Sequence, residues 1–405
     1  IMDYSMSLKG IEYLCFSETN YNKVIKMLGF PNGIILVTGA TGTGKSTLVR
    51  FIVEALDVAP EQIAYASFTG KAAEVLRKKG NPNAMTMHRL LFDSVPRPAG
   101  GFMHKPKPAL GFTIVVVDEV SMVPKSLMDQ LFKHKVYVIC LGDPFQLPPI
   151  DTDEDNHLLD HPHVFLDEIV RQAMDSEIIQ LTMKIRENAT LDDWKGNDVM
   201  ILPNHSLNTG MLLWGDQVIV GTNMQRLAQN NNIRALLGKG INPEDGDKVI
   251  CLRNYWESIN YDGDALVNGT IGTLTNSSQE WLKLPRQLIY NEPIQKFDVL
   301  NFDFVANGSI YPAVMGDRIM LLTGEKCCDW RLAYKLNRAK NRYGDLLPKE
   351  FSYGYAITCH KAQGSEWDKV LVLEEKFPFN KTEHARWLYT AATRAVDKLV
   401  IVKHD

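Results

Sequence analysis

The chain has 405 residues, 45% of them hydrophobic and 23% charged, and a formal net charge of −4. That length accommodates two to four domains with sizeable cores, and the charge excludes a protein that coats nucleic acid over its whole surface, leaving room for a local basic groove. Six cysteines without a C-x-x-C pair exclude a disulfide frame or cysteine zinc site, and no apolar run reaches the ~20 residues of a membrane span. The expected setting is the cytoplasm, since Met2 to Asn22 is mixed and polar without a signal-peptide pattern.

Residues 1–32 read as a helical lead-in, with Phe16 to Asn20 capping a helix from Tyr21 to Leu28 that Gly29 and Pro31 end. The apolar run Ile34 to Val37 then leads into Gly39, Ala40, Thr41, Gly42, Thr43, Gly44, Lys45, Ser46 and Thr47. A helical pattern from Ser46 puts Leu48, Phe51, Ile52 and Leu56 on one face. Strand, G-x-x-x-x-G-K-[ST] and helix make a P-loop. Its glycines let backbone N–H groups converge on phosphate oxygens, Lys45 can reach the β- and γ-phosphates, and the Ser46 hydroxyl can ligate magnesium. The chain is therefore expected to bind a nucleoside triphosphate.

A second strand, Ile63 to Ser67, precedes FTGKAA and a helix through Leu76; a third unit, TMHRLL, follows the Asn81-Pro82 turn. This alternation predicts α/β architecture with a parallel sheet. Residues 92–111 break it with four prolines and Gly100-Gly101-Phe102, and read either as a projecting hairpin or as a surface loop. The strand Phe112 to Val117 ends in Asp118-Glu119, a Walker B arrangement after a P-loop. Asp118 is expected in the magnesium shell and Glu119 to orient or deprotonate water. Another strand, Val136 to Leu141, delivers GDPFQLPP, where Gln146 can hold water or sense a γ-phosphate. Asp151 to His163 is acidic with three histidines and reads as a solvated loop or a metal site.

From Phe165 a second α/β region begins, and Arg171 either points across a cleft or pairs with Asp167 or Glu168. Val218 to Val220 is a strand, followed by Asn223 and a helix carrying Arg226 and Arg234. Between Asp245 and Tyr343 short strands dominate: Lys248 to Arg253, Gly269 to Leu274, Trp281 to Leu284, Phe297 to Phe304 and Asp317 to Leu322. Turns are expected at Asn268-Gly269, Asn276-Ser277-Ser278 and Asn307-Gly308-Ser309, giving a small β-barrel-like insertion. It closes on Arg331, Lys335, Arg338, Lys340 and Arg342 with Tyr334 and Tyr343, a pattern that suits single-stranded nucleic acid and, nearly as well, a solvated basic helix. The α/β pattern resumes at TCHKAQGSE, continues through the strand Val370 to Leu373, and reaches YTAATRA and a last strand, Leu399 to Val402. Arg394 is a candidate arginine finger.

In this order the blocks GATGTGKST, FTGKAA, TMHRLL, VVVDEVSM, GDPFQLPPI, LDEIVRQ, TCHKAQGSEWDKV and YTAATRA resemble the motifs of a superfamily 1 helicase, from Gly39 to Arg394. The wording of TGKAA, TMHRLL and HKAQGSE is most similar to the RecD/Dda branch, superfamily 1B, of phage or bacterial type. The resemblance implies two RecA-like P-loop NTPase domains, a short insertion in the first and a β-barrel insertion in the second. The expected boundaries are 1–91 and 112–164 for the first domain, 92–111 for its insertion, 165–244 and 346–405 for the second, and 245–345 for the barrel. It further implies an ATP- and Mg²⁺-dependent DNA helicase moving 5′ to 3′, a monomer acting on single-stranded DNA and duplex junctions, with single-strand-binding or replication proteins as partners. Lys45, Ser46, Asp118, Glu119, Gln146, Arg171 and Arg394 would form the ATP site between the lobes, with Gly364 and Glu366 on the nucleotide side. Thr69, Lys71, His88, Asn223, Thr358, His360 and Lys361 would line the single strand, and Phe102 would be the strand-separating wedge.

Two features depart from that pattern. The glutamine that reads adenine upstream of the P-loop has Asn20 near its place, and the P-loop block by itself also resembles secretion and pilus ATPases. An RNA motor of the same superfamily, a translocase without unwinding, and a nucleic-acid-binding protein without catalysis are the rival readings. The intact Lys45, Asp118, Glu119 and Arg394 argue against the last.

Overall fold

The structure, a computed structural model, describes residues 34–41, 43, 45, 48–49, 52–53, 58–96, 102–148, 158–166, 175–187, 194–290, 292–376, 378 and 380–404. The expected lead-in helix lies outside these residues. The chain divides into two compact units, the first made of Ile1–Leu91, Lys107–Gly221 and Thr358–Asp405, the second of Phe92–Pro106 and Thr222–Ile357. No helix among the described residues is long and apolar enough to cross a membrane.

The first unit opens with β1 (Ile34–Gly39), β2 (Ile63–Ser67) and β3 (Ala84–Thr86). The hairpin β4 (Phe92–Pro96) and β5 (Phe102–Pro106) follows in sequence but belongs to the second unit. Then come β6 (Ile114–Val117), β7 (Tyr137–Gly142) and β8 (Val164–Leu166). They form one sheet in the order β3-β2-β6-β7-β1-β8, every neighbouring pair parallel. The runs IILV and IVVV suit this because strands covered on both faces need apolar side chains in both directions. Leu48, Val49 and Ile52 of the P-loop helix bury against Ile35, Val37, Ile139 and Leu141, each such side chain contributing about 1.5–3 kcal/mol. The expected domain boundary at 165 falls inside β8. This strand completes the first sheet through Val37–Val164 and Gly39–Leu166 pairing, with Val164 and Leu166 buried and Phe165 exposed.

Besides the P-loop helix, the described residues of this part of the unit form α1 (Gly70–Lys78), α2 (Met87–Leu91) and α3 (Lys125–Phe132). After α4 (Glu177–Arg186) a second sheet begins with β9 (Val199–Leu202) and β10 (Gln217–Val220).

The second unit contains α5 (Asn223–Leu236), β11 (Lys248–Cys251), β12 (Tyr255–Ile259), β13 (Ala265–Leu266), β14 (Ile271–Lys283), β15 (Lys296–Ala306) and β16 (Ser309–Asp317). Next are α6 (Arg318–Thr323), α7 (Trp330–Tyr343) and β17 (Phe351–Tyr353). Its main sheet runs β16-β15-β14-β11-β17, with its pairs antiparallel. Two expectations change here. The expected turn at Asn276-Ser277-Ser278 is a bulge inside a 13-residue strand, with Asn276 at φ 54° and the register shifting between Thr275 and Ser278. The expected strand Asp317 to Leu322 is a helix, because Asp317 caps it by accepting the Met320 N–H at 3.1 Å. The turn at Asn307-Gly308 is present, both residues at positive φ as a two-residue hairpin loop requires. Helix α5, expected in the second α/β domain, is tied into this unit. Asn230 exchanges hydrogen bonds with the Ala356 backbone, and Arg234 forms a bidentate pair with buried Asp247.

The chain leaves this unit along β18 (Ala356–Thr358) and continues as α8 (Cys359–Ala362), β19 (Trp367–Leu373), α9 (Lys381–Ala392) and β20 (Ala395–Val402). Of the five strands in the second sheet, four lie wholly in the first unit, in the parallel order β10-β19-β20-β9. The final strand is thus interior, and its Leu399 and Ile401 are fully buried.

Candidate nucleotide site

Gly39 ends β1 where a side chain has no room: a Cβ there would meet the Leu166 carbonyl at 2.6 Å and the Thr43 hydroxyl at 2.6 Å. The loop then turns inward, Thr43 Oγ1 donating to the Ala40 carbonyl at 2.8 Å. The Lys45 ammonium donates to the carbonyls of Gly39 at 2.8 Å and Ala40 at 2.7 Å, so the loop folds around its own cation. Gly42, Gly44, Ser46, Thr47 and Arg171 lie outside the described residues.

Asp118 and Glu119 leave the C-terminal end of β6, two positions from β1 across β7. Asp118 continues the ladder by donating its N–H to the Ala66 carbonyl at 2.8 Å, and its carboxylate accepts the Glu119 N–H at 2.9 Å. Glu119 sits at φ 53°, a left-handed conformation that β-branched and bulky residues avoid and that redirects its side chain. Burial pushes the Glu119 carboxyl up to about 7, and neighbouring Asp118 adds to the rise, opposed by Arg394 and Lys45. Burial likewise raises Asp118, against the Glu119 N–H, Lys45 and Lys79. Gln146 is buried, and its side-chain oxygen has no hydrogen-bond partner. Two adjacent desolvated acids, with Lys45 near both, fit a bound divalent cation and its water shell.

The far end of the chain closes this region within the same unit. Arg394 is 4% exposed, its guanidinium donating to the carbonyls of Thr390 and Ser365 and to the Thr393 hydroxyl. It lines a cavity of about 250 Å³ together with Asp118, Glu119, Lys79, Gly364 and Glu366. Gly364 is at φ 74°, where a Cβ would also strike Ala72 at 2.9 Å, and Glu366 lies 3.8 Å from the Lys79 ammonium.

Residues that the sequence did not single out hold the two sheets' loops together. The Tyr389 hydroxyl accepts the Thr41 N–H at 3.1 Å and donates to Asp143 at 2.6 Å. Thr390 Oγ1 accepts the Leu147 N–H, and Gln363 donates to the Leu147 carbonyl, both at 3.0 Å. The Arg186 guanidinium lies 3.9 Å over the Phe145 ring. Tyr389 and Thr390 stood inside the block YTAATRA, but nothing in that string says which of its side chains reaches back to the P-loop.

The expected strand-lining residues are distributed differently. Thr69 caps α1 by accepting the Ala72 N–H at 3.2 Å, and Lys71 pairs with Glu74 at 3.3 Å. The His88 and Phe68 ring centroids are 6.3 Å apart. Thr358 is buried, and His360 and Lys361 are half-buried on α8. Asn223, which accepts from Arg226 at 3.1 Å, and Phe102 belong to the second unit. Phe102 pairs with Pro96 at the turn end of the hairpin expected for residues 92–111. Among the described residues no three His, Cys, Asp or Glu side chains gather as a metal site. His163 instead accepts the Leu36 N–H at 3.0 Å, and residues 151–157 lie outside the description.

A family described as AAA domain matches residues 19–199, and one described as UvrD-like helicase C-terminal domain matches residues 353–402. The ATP-dependent RecD2 DNA helicase of Deinococcus radiodurans is 27% identical over 383 residues, covering 90% of this chain and 46% of that protein. The chain thus spans about half the length of that relative. The ATP-dependent DNA helicase dda of Enterobacteria phage T4 is 30% identical over 141 residues, 33% of this chain and 32% of its own. In three dimensions the chain is similar to a Pif1 helicase solved for DNA unwinding at forked double-stranded DNA. The TM-score is 0.53 at 18% identity, covering 95% of this chain and 92% of the other. That likeness concerns the fold.

Proposed function

We propose, from the premise that the chain belongs to superfamily 1B of the RecD, Pif1 and Dda type, that it is an ATP-driven DNA helicase moving 5′ to 3′ on single strands. The observation that carries the reading is the convergence, in one unit, of Lys45, the Asp118-Glu119 pair, Gln146 and Arg394 from four separate loops. In this reading the first sheet is one RecA-like domain and the second sheet the other. The antiparallel sheet of the second unit is a barrel-like insertion, and the β4–β5 hairpin is a strand-separating pin with Phe102 at its turn end.

Lys45 exchanges its loop carbonyls for the β- and γ-phosphates, and Gly39 to Thr47 supply the cradle. Ser46 and Asp118 would hold Mg²⁺, which when bound neutralises phosphate charge. A Glu119 carboxyl raised toward neutrality is poised to take a proton from water, Gln146 to orient that water, and Arg394 and Arg171 to face the developing negative charge. Thr69, Lys71, His88, Asn223, Thr358, His360 and Lys361 contact the strand, and Gly364 and Glu366 stand on the nucleotide side. The chain acts as a monomer at duplex junctions.

The test is ATP-driven unwinding of matched duplexes bearing a 5′ or a 3′ single-stranded tail. Unwinding from the 5′ tail alone is expected, with Lys45→Ala reducing hydrolysis by about 10²–10³-fold while strand binding persists. Preference for the 3′ tail would overturn the polarity. Strand-stimulated ATPase without unwinding would reduce the proposal to a translocase, and indifference to every nucleic acid would overturn it.

A further inference from the structure

Helix α7 divides its side chains sharply. Leu332 and Leu336 are buried with Leu284, Ile289, Phe297 and Val299, and Asp329 caps the helix by accepting the Leu332 N–H at 2.8 Å. The helical repeat puts Trp330, Arg331, Tyr334, Arg338 and Arg342 on the opposite side. All five are exposed, Trp330 by 74% and Tyr334 by 55%.

The charges on this helix are treated in two ways. Lys335 is paired with Glu292, and Lys340 with Glu257 at 3.3 Å and Asp345 at 3.1 Å. Arg331, Arg338 and Arg342 have no acidic partner among the described residues. Each guanidinium instead lies over a ring: Arg331 over Trp330 at 5.6 Å, Arg338 over Tyr334 at 5.8 Å and Arg342 over Tyr343 at 5.2 Å. A helix face meant only for solvent would intersperse both signs and keep its indole covered. This one leaves three positive charges unneutralised on a chain whose net charge is −4.

We infer that the exposed face of α7 is a binding surface for single-stranded nucleic acid, separate from the motif residues of the first unit. Positions 330, 334, 338 and 342 are four residues apart, so they step about 6 Å along the axis. At that spacing two rings, Trp330 and Tyr334, are followed by two guanidinia, Arg338 and Arg342, with Arg331 beside the first ring, offering stacking platforms for bases and forked donors for phosphates. The exposed aromatics favour a single strand, since bases in a duplex are already stacked on one another. The inference rests on the reading of the chain as a DNA motor and adds a second grip to it.

The test compares the wild-type protein with R331E/R338E/R342E and with the charge-conserving R331K/R338K/R342K, using labelled oligodeoxythymidine and a blunt duplex as probes. Thermal melts verify that each variant is folded, which these exposed positions permit. The Glu variant is expected to bind oligodeoxythymidine at least about tenfold more weakly and to lose about 2 from the slope of log affinity against log salt, the share of three phosphate contacts. The Lys variant should keep most of the salt slope, and Trp330→Phe should remove part of the fluorescence quench on binding. Unchanged affinity and slope in the Glu variant, with wild-type binding intact, would overturn this surface and leave the motor standing. A loss confined to the duplex would overturn the single-strand assignment. Absence of oligodeoxythymidine binding by the wild type would remove the motor reading as well.

Discussion

A single hydroxyl, that of Tyr389, touches both the P-loop backbone at Thr41 and the carboxylate of Asp143. Asp143 is 1% exposed, so the bond is made away from water, where an unpaired polar group is costly. Tyr389→Phe keeps the ring against Phe145, whose centroid is 6.2 Å away, and deletes only the two bonds. The expected cost is about 1–3 kcal/mol in the stability of the first unit, with a raised KM for ATP because the Thr41 N–H loses its anchor. Denaturant melts and steady-state ATPase assays check the two halves, and a variant with wild-type stability and KM would show that the bridge is dispensable. Arg394 teaches a related lesson: the sequence marks it as a finger, and the structure shows its guanidinium held in place by Thr390, Thr393 and Ser365. Those bonds use three of its five N–H groups and leave two to face a phosphoryl group.

Among the elements, the junction of α4 and β9 depends on one side chain. The Glu177 carboxylate accepts the N–H groups of Asp198 at 2.8 Å, Asn197 at 3.0 Å and Val199 at 3.0 Å, and Gly196 leaves the space it occupies, since a Cβ there would lie 2.0 Å from Oε2. These backbone donors, Asp198 first, hold the Glu177 carboxyl below its ordinary range. A depressed folded-state value means the stabilisation is complete above the unfolded-state value and disappears as pH falls through the folded one. Glu177→Gln should therefore lower the melting temperature by a few degrees at neutral pH, and the gap to wild type should close in acid. A gap independent of pH would refute the assignment to the ionised carboxylate. Parallel strands such as β1, β6 and β19 were legible in the sequence because covering both faces leaves unbroken apolar runs. The antiparallel elements were less so. One face of β14 is exposed and its bulge uses the same Asn-Ser residues as a turn, while Asp317 looks like a strand terminus until its capping bond is seen. The three-residue β8 carries too little pattern to announce itself.

The whole molecule comprises two units with separate cores, one centred on Val37, Val116 and Leu141, another on Phe302, Phe304 and Phe351. Within the second unit Arg234 and Asp247 are 5% and 0% exposed and joined at 2.9 and 3.0 Å, and Tyr355 donates to the same carboxylate at 3.0 Å. Removing Arg234 takes the bidentate cation from buried Asp247 and leaves Lys239 at 3.7 Å as its counter-charge, at a cost of about 3–5 kcal/mol. Arg234→Ala is expected to split unfolding into two transitions, the earlier belonging to the second unit, with nucleotide binding surviving it. A single shifted transition would mean that the units unfold as one. The nucleotide residues were readable because their spacing is fixed by local chain geometry, P-loop to helix and strand to acid pair. The contacts of Thr41 with Tyr389 and of Leu147 with Gln363 span most of the chain, and no local spacing encodes them.

The placement of β20 between β19 and β9 bears on how the chain is made. A ribosome releases β9 and β10 early, then residues 222–357 of the second unit, and only afterwards residues 395–402. Through that interval β9 has an open hydrogen-bonding edge where its neighbour belongs, a template for pairing with other nascent chains. The intervening unit, self-contained in its core, can fold in the meantime, so the second unit should acquire protease resistance before the nucleotide site does. Assembly of the site then waits on the last strand, and a polypeptide halted before it would carry every P-loop and Walker B residue yet lack the sheet that holds Arg394 in place.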